Sequence, residues 1–488
     1  MAGRLRAERS ATATHTTRAP VFRIFNQFVS AKSLLLLFTE SILMVVCLFC
    51  AVQVRFWSNP LESALYEIWP DFEIQIALVV VTCLICLYFN DLYGLETTND
   101  RVDRMLRIEQ SLGAASLVLG LVYFLFPGML LSRYVFLIGM SLIGVSLGLY
   151  RRVLDKVWQA SAPLQRVAIL GTGQVAMEVA REMTRRGDLR IRVEGFLSSA
   201  PSSGEEEKIF GFPVLGSTAD LEAVANARSL SRIVVALEDR RGTLPTRELV
   251  TLRVRGLLID EAATALSALT GRVSLHVVKP SWFVFSEGFR RSRSNEVLKR
   301  ALDLAVAMVG TLVALPLMIL IAIAIRLESK GPIIYRQIRV GRMSRGFEML
   351  KFRSMRKDAE NPNEAKWASH NDPRVTRIGR FLRKYRLDEL PQFWNVIKGD
   401  MSFVGPRPER PTFVKDLREK VPYYDERHSV RPGLTGWAQV QYSYGSSVED
   451  AYRKLEYDLF YLKNMSLTFD LAIILKTIKI VAAGQGGR

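Results

Sequence analysis

The chain has 488 residues, is 49% hydrophobic and carries a formal net charge of +18 at pH 7. This length allows two or three domains. The hydrophobic fraction is high for a soluble protein of this size, and long apolar runs account for it. The positive charge favours anionic partners such as lipid headgroups and phosphorylated substrates. Nucleic acid is the weaker choice and is not expected as a partner, because the basic residues cluster beside the apolar runs.

The first third of the chain predicts a membrane domain. We expect residues 1–30 to form a mobile basic tail and residues 31–152 to form a four-helix transmembrane bundle. Four apolar segments, each close to the roughly 20 residues that cross a bilayer, lie near 33–54, 74–90, 111–130 and 134–150. Basic residues cluster in the tail, in the second loop and after the fourth segment, whereas the first loop is acidic. By the positive-inside rule, the N-terminus and everything after residue 150 face the cytoplasm.

Two features inside these segments invite a functional interpretation. The cysteines form two CxxC pairs, Cys47/Cys50 and Cys83/Cys86, both within apolar runs. Zinc needs four convergent ligands, so we interpret them as small helix residues rather than a metal site. Glu40 lies in the first segment and is expected to face the inside of the bundle.

Residues 163–282 predict a Rossmann-like α/β domain. Apolar strands alternate with helical patterns, and the expected strands are RVAIL, VEGFL, RIVVAL, GLLID and SLHVV. Gly171-Thr-Gly173-Gln-Val-Ala176 follows the first strand and matches a GxGxxA phosphate-binding turn. The acidic ribose partner expected after the second strand is missing, and none of the fifteen tyrosines begins a YxxxK pair. A regulatory or structural module is therefore favoured over a working nucleotide site.

The apolar run 304–325 combines three properties that disagree with a simple span. Pro316 lies near its middle, where it removes a backbone donor. Basic residues flank both ends, namely Arg290, Arg291, Arg293, Lys299 and Arg300 before it and Arg326, Lys330, Arg336, Arg339 and Arg342 after it. A re-entrant helix hairpin over residues 303–327 satisfies all three facts, because it breaks at Pro316 and both basic ends then stay in the cytoplasm. The alternative is an ordinary kinked span.

The strongest candidate site lies between Arg374 and Pro411. Two adjacent carboxylates, Asp388 and Glu389, follow a series of arginines: Arg374, Arg377, Arg380, Arg383 and Arg386. An adjacent Asp-Glu pair alone is commonly a solvated surface. Here Asp400, the Pro406-Arg407-Pro408 turn and the KFRSM stretch at 351–355 add a cationic context. Such a pocket binds phosphate, and carboxylates within it can hold Mg²⁺ or attack phosphorus.

Four stretches of this region closely resemble the bacterial monotopic phosphoglycosyl transferases. They are KFRSM (351–355), DELPQ (388–392), GDMSFVGPRP (399–408) and RPGLTGWAQV (431–440). The whole layout resembles the large exopolysaccharide members, in which a four-helix membrane bundle and a Rossmann-like domain precede the catalytic domain. The resemblance implies a mainly α catalytic domain over residues 297–488 that contains the re-entrant helix.

The resemblance also implies an activity. Members transfer a sugar-1-phosphate from a UDP-sugar to polyprenyl phosphate, release UMP and require Mg²⁺. The reaction passes through a covalent phospho-aspartate and begins exopolysaccharide or capsule synthesis. The implied location is the bacterial inner membrane with a cytoplasmic catalytic domain, and a homodimer is usual for large members. For the donor sugar, glucose or galactose is the expectation.

Site residues carry over position by position. Asp388 matches the family's nucleophile and is the expected metal ligand, while Glu389 matches the second dyad member. Lys351, Arg353, Arg383 and Arg407 match basic positions that would hold phosphates, and Gln392 and Pro408 are further expected substrate-binding residues. Pro316 matches the break of the re-entrant helix. The residue before it is Leu315, where the family usually has serine.

Two other functions compete with the transferase. A nucleotide-sugar oxidoreductase or dehydratase would use the Gly-rich turn, but the missing YxxxK pair argues against it. A non-enzymatic scaffold of a polysaccharide export complex would use the bundle and the Rossmann-like domain. The intact Asp388-Glu389 pair argues against a purely structural role.

Overall fold

A computed structural model describes residues 22–24, 27–29, 31–59, 71–90, 92–93, 101–129, 131–161, 164–198, 208–238, 243–286, 288–289, 293–356, 374–442, 445 and 447–484. Most of the predicted basic tail, most of the acidic first loop and the flanking Arg290 and Arg291 lie outside these residues. Within the predicted tail, strands β1 (Phe22–Ile24) and β2 (Gln27–Val29) pair in antiparallel fashion.

Four apolar helices begin the described structure. They are α1 (Ala31–Arg55), α2 (Phe72–Phe89), α3 (Arg101–Leu125) and α4 (Arg133–Ser161). Buried side chains from all four helices form one apolar cluster. The third helix begins before its predicted segment and the fourth continues past residue 150, because the flanking polar residues have ordinary helix propensity. All four are long and apolar enough to cross a membrane, as is a fifth helix described below.

Glu40 is buried between these helices, as its place in an apolar run predicted. Its carboxylate accepts hydrogen bonds from Arg151 Nε at 2.6 Å and Nη2 at 2.9 Å, and from the Tyr93 hydroxyl at 2.6 Å. Burying one charge without the other would be costly, so the pair ties α1 to α4.

The second region contains a six-stranded mixed sheet. Its strands are β3 (Gln165–Leu170), β4 (Ile191–Ser198), β5 (Lys208–Ile209), β6 (Phe212–Ser217), β7 (Arg232–Val235) and β8 (Leu258–Glu261). The strand order is β5-β6-β4-β3-β7-β8, and every pairing is parallel except that of β5 with β6. The connecting helices are α5 (Gln174–Arg185), α6 (Leu221–Ala227), α7 (Thr246–Val254) and α8 (Ala262–Thr270). This order is that of a Rossmann-like sheet with an added antiparallel edge.

The predicted strand SLHVV is wrong. Residues 275–277 form a turn instead, and residues 274–278 contain no strand. Backbone donors within and just before this segment serve the C-terminal region: Val273 N–H donates to the Glu456 carbonyl at 3.0 Å, and Leu275 N–H donates to Glu456 Oε1 at 3.1 Å. Trp437 Nε1 also donates to the Gly271 carbonyl at 2.7 Å. The segment therefore joins the sheet domain to the C-terminal domain.

The C-terminal region is mainly helical with two small two-stranded sheets. Its helices are α9 (Pro280–Phe285), α10 (Arg293–Glu328), α11 (Arg377–Lys384), α12 (Gln392–Lys398), α13 (Pro411–Lys420), α14 (Trp437–Gln441), α15 (Val448–Asn464) and α16 (Leu467–Ala482). Strands β9 (Ile334–Val340) and β10 (Gly346–Phe352) form an antiparallel hairpin. Strands β11 (Ser402–Val404) and β12 (Gly433–Thr435) pair in parallel.

Helix α10 contains the apolar run and continues through Pro316 as a single 36-residue element. The predicted two-legged hairpin is not separated into two helices, so it stays a prediction. Both ends of α10 are tied to the same domain. Asp303, near its start, accepts hydrogen bonds from Phe403 N–H at 3.0 Å and Ser402 Oγ at 2.8 Å. Glu328, at its end, accepts from the Arg377 N–H at 2.8 Å.

Candidate functional site

The two predicted carboxylates lie on one short turn. Residues Leu387–Glu389 form a single turn of 3-10 helix between α11 and α12, and both Asp388 and Glu389 are buried there. Arg386, just before the turn, adopts a left-handed backbone with φ 53° and ψ 22°. That conformation costs about 1–2 kcal/mol for a residue with a Cβ. The strained residue redirects the chain, so that both adjacent carboxylates turn inward.

Glu389 is held by two cations. Lys351 Nζ donates to Glu389 Oε1 at 2.8 Å, and Arg407 donates from Nη2 to Oε1 at 2.6 Å and from Nη1 to Oε2 at 3.4 Å. Burial opposes ionisation of this carboxyl, but Arg407, Lys351 and Arg386 together hold the pKa of Glu389 well below its usual range. The Glu389 carboxylate therefore fixes the two cations in place.

Asp388 has a different environment on the same turn. The nearest cation is Lys351, whose Nζ lies 3.8 Å from Asp388 Oδ2. No hydrogen-bond donor reaches this carboxylate from the described part of the chain. Burial raises the pKa of Asp388, Lys351 opposes this shift and the charge of Glu389 adds to it. The carboxylate oxygens of Asp388 thus accept no hydrogen bond from the described residues and lie near cations. A nucleophile or a metal ligand requires such an environment.

The donor set fits a magnesium ion that is held mostly by substrate. Among the described residues, no three His, Cys, Asp or Glu side chains converge as a protein cage. Mg²⁺ commonly uses one or two carboxylates together with phosphate oxygens and water. Asp388 offers such oxygens, whereas those of Glu389 are occupied by Lys351 and Arg407.

The other predicted basic residues separate into two groups. Arg383 donates from Nε to Ser354 Oγ at 2.9 Å, and its charge lowers the pKa of Asp388 against the larger effect of burial. Arg353 instead donates to the Ser329 carbonyl at 2.7 Å, Ser329 Oγ at 2.9 Å and the Lys330 carbonyl at 3.3 Å. It stabilises the turn after α10, and its phosphate contact stays a prediction.

Gln392 follows the dyad on the first turn of α12. It is buried, and its Nε2 has no hydrogen-bond partner among the residues that the structure describes. An unsatisfied buried amide close to the dyad is consistent with the predicted contact with substrate. Asp400, by contrast, pairs with Lys398 at 3.1 Å, and the structure records no ion pair between it and the dyad cations.

Two of the sequence motifs meet beside the dyad. Strands β11 and β12 pair Ser402 with Gly433 and Val404 with Thr435, which brings GPRP against RPGLTG. A Cβ at Gly433 would collide with the Gly405 backbone, so glycine is required at this crossing. The Pro406–Pro408 loop that leaves the crossing carries Arg407 toward Glu389.

Sequence reasoning missed the residues behind this loop. Arg339 Nη1 donates to the Pro408 carbonyl at 3.2 Å, and Arg427 Nη2 donates to the Arg407 carbonyl at 3.0 Å. The alternation Tyr335-x-Gln337-x-Arg339 on β9 is a signal for polar residues on one face, but it does not show what they contact.

The Gly-rich turn of the sheet domain is covered by an acidic side chain. A Cβ at Gly173 would collide with the carboxylate of Glu238, which follows β7. That carboxylate lies at the N-terminus of α5, where a bound pyrophosphate would sit. A pyrophosphate at the turn would meet this negative charge unless the exposed Glu238 side chain moved away.

Five apolar helices are typical of a membrane protein, and the C-terminal domain of this one holds a buried carboxylate pair in contact with cations. Comparison with known families agrees with this class. A bacterial sugar transferase model matches residues 294–484, and a CoA-binding domain model matches residues 88–243. The first match contains the whole dyad region.

Relatives support the same family. One is a UDP-N-acetylgalactosamine-undecaprenyl-phosphate N-acetylgalactosaminephosphotransferase of Aeromonas hydrophila, 47% identical over 39% of this chain and 45% of its own length. A second is a UDP-glucose:undecaprenyl-phosphate glucose-1-phosphate transferase of Klebsiella pneumoniae, 31% identical over 70% of this chain and 72% of its own. A third is the exopolysaccharide production protein PSS of Rhizobium leguminosarum bv. phaseoli, 39% identical over 37% of this chain and 94% of its own.

The chain belongs to the bacterial sugar transferase family. It spans about half the length of several curated relatives that it matches, between 40% and 58%.

Proposed function

We propose that this protein transfers a sugar-1-phosphate from a UDP-sugar to undecaprenyl or another polyprenyl phosphate and releases UMP. This would be the first membrane step in making an exopolysaccharide or capsule. The observation that carries the proposal is the unequal environment of the dyad. Glu389 is neutralised by Lys351 and Arg407, while Asp388 beside it has Lys351 at 3.8 Å and accepts no hydrogen bond from the residues that the structure describes.

The unequal dyad suits a two-step transfer. In the first step an oxygen of Asp388 attacks the sugar-bearing phosphorus, the bond to the bridging oxygen breaks, and UMP leaves with the electron pair. In the second step an oxygen of polyprenyl phosphate attacks the same phosphorus, the acyl-phosphate bond breaks, and Asp388 returns to a carboxylate. A covalent step of this kind allows the soluble donor and the lipid acceptor to bind in turn.

The cations of the site have a defined role in both steps. Lys351 and Arg407 are held within 3.5 Å of Glu389, so their charges are placed before substrate binds. Preorganised cations stabilise charge that develops on the transferred phosphoryl group. Mg²⁺, with Asp388 as its protein ligand, would supply further neutralisation of the donor diphosphate.

The acceptor phosphate would lie at the membrane surface, and the hydrogen bonds at the two ends of α10 support a site at the same level. Asp303 and Glu328 are 25 residues apart, about 37 Å along a straight helix, which exceeds the roughly 30 Å hydrocarbon core. Both residues hold the same domain. A spanning α10 would put that domain on both sides of the membrane, so we propose that α10 enters and leaves from the cytoplasmic side, with Pro316 as its break.

The remaining parts of the proposal concern location and assembly. The positive flanks of α1 to α4 favour a bacterial inner membrane location with the catalytic domain in the cytoplasm. A homodimer is proposed from the family resemblance. The donors to test first are UDP-glucose, UDP-galactose and UDP-N-acetylgalactosamine, since glucose and N-acetylgalactosamine appear in the names of relatives.

The test is a UMP-release assay with the full chain in detergent or nanodiscs, polyprenyl phosphate, Mg²⁺ and a panel of UDP-sugars. We expect at least one donor to give UMP and a polyprenyl-diphospho-sugar. Asp388→Asn should abolish both products, because an amide keeps the shape but supplies no anionic oxygen. Asp416→Asn, at an exposed position on α13, is the matched control and should retain activity. No product from wild-type enzyme with any donor would refute the proposal.

A further inference from the structure

The Pro406–Pro408 loop is held by its carbonyl groups. Two of its three residues are prolines without an N–H, so carbonyls are the main backbone groups available to fix it. Gly433 N–H donates to the first carbonyl at 2.9 Å, Arg427 Nη2 to the second at 3.0 Å, and Arg339 Nη1 to the third at 3.2 Å. Each of the three consecutive carbonyl groups therefore accepts a hydrogen bond, and the three donors lie in three separate elements of the fold.

Arg427 supports the loop from one side. It lies in the 3-10 segment Tyr424–Ser429, and its side chain is only 6% exposed. Nη1 donates to the Tyr424 hydroxyl at 2.6 Å, and Nη2 lies 2.8 Å from Asp458 Oδ2 on α15. With both terminal nitrogens engaged, the guanidinium has little freedom to move. None of its recorded hydrogen bonds within the described chain reaches the dyad.

Arg339 supports the loop from the other side. Its Nε and Nη2 donate to Gln337 Oε1 at 2.9 Å and 2.6 Å, which orients the guanidinium along β9. Nη1, which donates to the Pro408 carbonyl, lies 3.5 Å from Glu409 Oε2. The next residue of the strand, Val340, donates its N–H to the Glu409 carbonyl at 3.0 Å. The loop is thus attached to β9 over two successive residues.

We propose that Arg427 and Arg339 are positioning residues for the transfer reaction, and that they act through Arg407. By holding the carbonyls of the loop, they present the Arg407 guanidinium to Glu389 in two-point contact. This inference rests on the proposed transferase function. Lysine could not replace either residue, because one ammonium cannot span the two or three acceptors that each guanidinium joins.

The experiment measures kcat of transfer for Arg427→Lys, Arg339→Lys, Arg407→Lys and the double variant Arg407→Lys/Arg427→Lys, in the full chain. Arg186→Lys is the matched control, because Arg186 Nη1 also donates to a backbone carbonyl, that of Leu269, but in the sheet domain. Thermal unfolding of each variant checks that it folds. If Arg427→Lys does not fold, Tyr424→Phe removes one acceptor of the same guanidinium and takes its place.

We expect Arg427→Lys and Arg339→Lys each to lower kcat by about 10- to 100-fold, since small misplacements of a catalytic group have effects of this size. In the Arg407→Lys background, Arg427→Lys should lower kcat by less than about twofold, because residues that act through one group are not additive. Arg186→Lys should match wild type. Equal effects of Arg427→Lys in both backgrounds, or none in wild type, would overturn the inference. A wild-type enzyme that is inactive with every donor would instead refute the proposed function.

Discussion

At the scale of single residues, two adjacent carboxylates acquire opposite properties from their partners alone. Glu389 has two cations in direct contact and a lowered pKa, while Asp388 has one cation at 3.8 Å and a raised pKa. The sequence predicted Asp388, Glu389, Lys351 and Arg407 as one site because their motifs are rich in charge and resemble a known family. It could not predict Arg427, because the carbonyl that this residue holds is 20 positions away and carries no side-chain signal.

The first prediction concerns Lys351. Its charge lowers the pKa of Asp388 against the larger effect of burial, so Lys351→Met should raise that pKa further. The attacking form is the carboxylate. The acid limb of the rate of UMP release should therefore move to higher pH, with a larger loss at pH 6 than at pH 9. Lys398→Met is the control, because that lysine is largely exposed and, among the described residues, its recorded ion pair is with Asp400 and not with the dyad. Parallel pH profiles for wild type and Lys351→Met would contradict the prediction.

A second prediction concerns His428, which is buried beside Arg427. Burial, and next the charge of Arg427, lower its pKa from 6.5 to about 4. The unfolded chain then binds more protons than the folded one between these values, so stability is present above pH 6.5 and is lost as pH falls toward 4. His428→Gln should reduce the drop in Tm between pH 7 and pH 5. An unchanged drop would show that other groups control acid stability.

At the scale of elements, helices and strands were predicted correctly where the hydrophobic pattern of the local sequence is strong. The four apolar helices were predicted because composition alone defines them. The strand SLHVV was wrong because Glu456, far along the chain, takes the backbone donors of that segment. The edge strand β5 was missed because it has only two residues, and its neighbour β6 was missed because it contains proline and glycine.

The third prediction tests the placement of α10. In a variant without the four native cysteines, single cysteines at Leu312, Leu320 and Ser329 would be labelled in intact cells with a membrane-impermeant maleimide. We expect no periplasmic labelling at any of the three, because both ends of α10 are tied to one domain. A cysteine in the 60–70 loop, predicted to be periplasmic, serves as the positive control. Labelling of the cysteine at position 329 would instead show that α10 spans the membrane.

At the scale of the whole molecule, the sheet domain is attached to the catalytic domain through Glu456 and Trp437, while its Gly-rich turn is covered by Glu238. These contacts favour a structural or regulatory module over a second enzyme. The division into a membrane region, a sheet domain and a C-terminal domain was predicted from composition and periodicity. The contacts between these parts could not be predicted, because they join residues far apart in the chain, such as Arg272 and Glu456, which are 184 positions apart.

The fourth prediction is that the sheet domain performs no redox chemistry. Wild-type enzyme should show no turnover of NAD(P) with any UDP-sugar, since the acidic ribose partner and the YxxxK pair are absent. The Glu238 carboxylate also disfavours a pyrophosphate at the turn. Spectrophotometric measurement at 340 nm detects turnover directly. Activity that disappears on Gly173→Val would contradict the prediction.

The proposed mechanism depends on a covalent bond between Asp388 and phosphorus. This bond is tested by UMP release from wild-type enzyme given only its UDP-sugar and Mg²⁺, without lipid acceptor. We expect a burst of about one UMP per active site and a matching sugar-phosphate adduct on the protein, and we expect neither with Asp388→Asn. A wild-type enzyme that releases UMP only when polyprenyl phosphate is present would contradict it, and would reduce Asp388 to a metal ligand in a direct transfer.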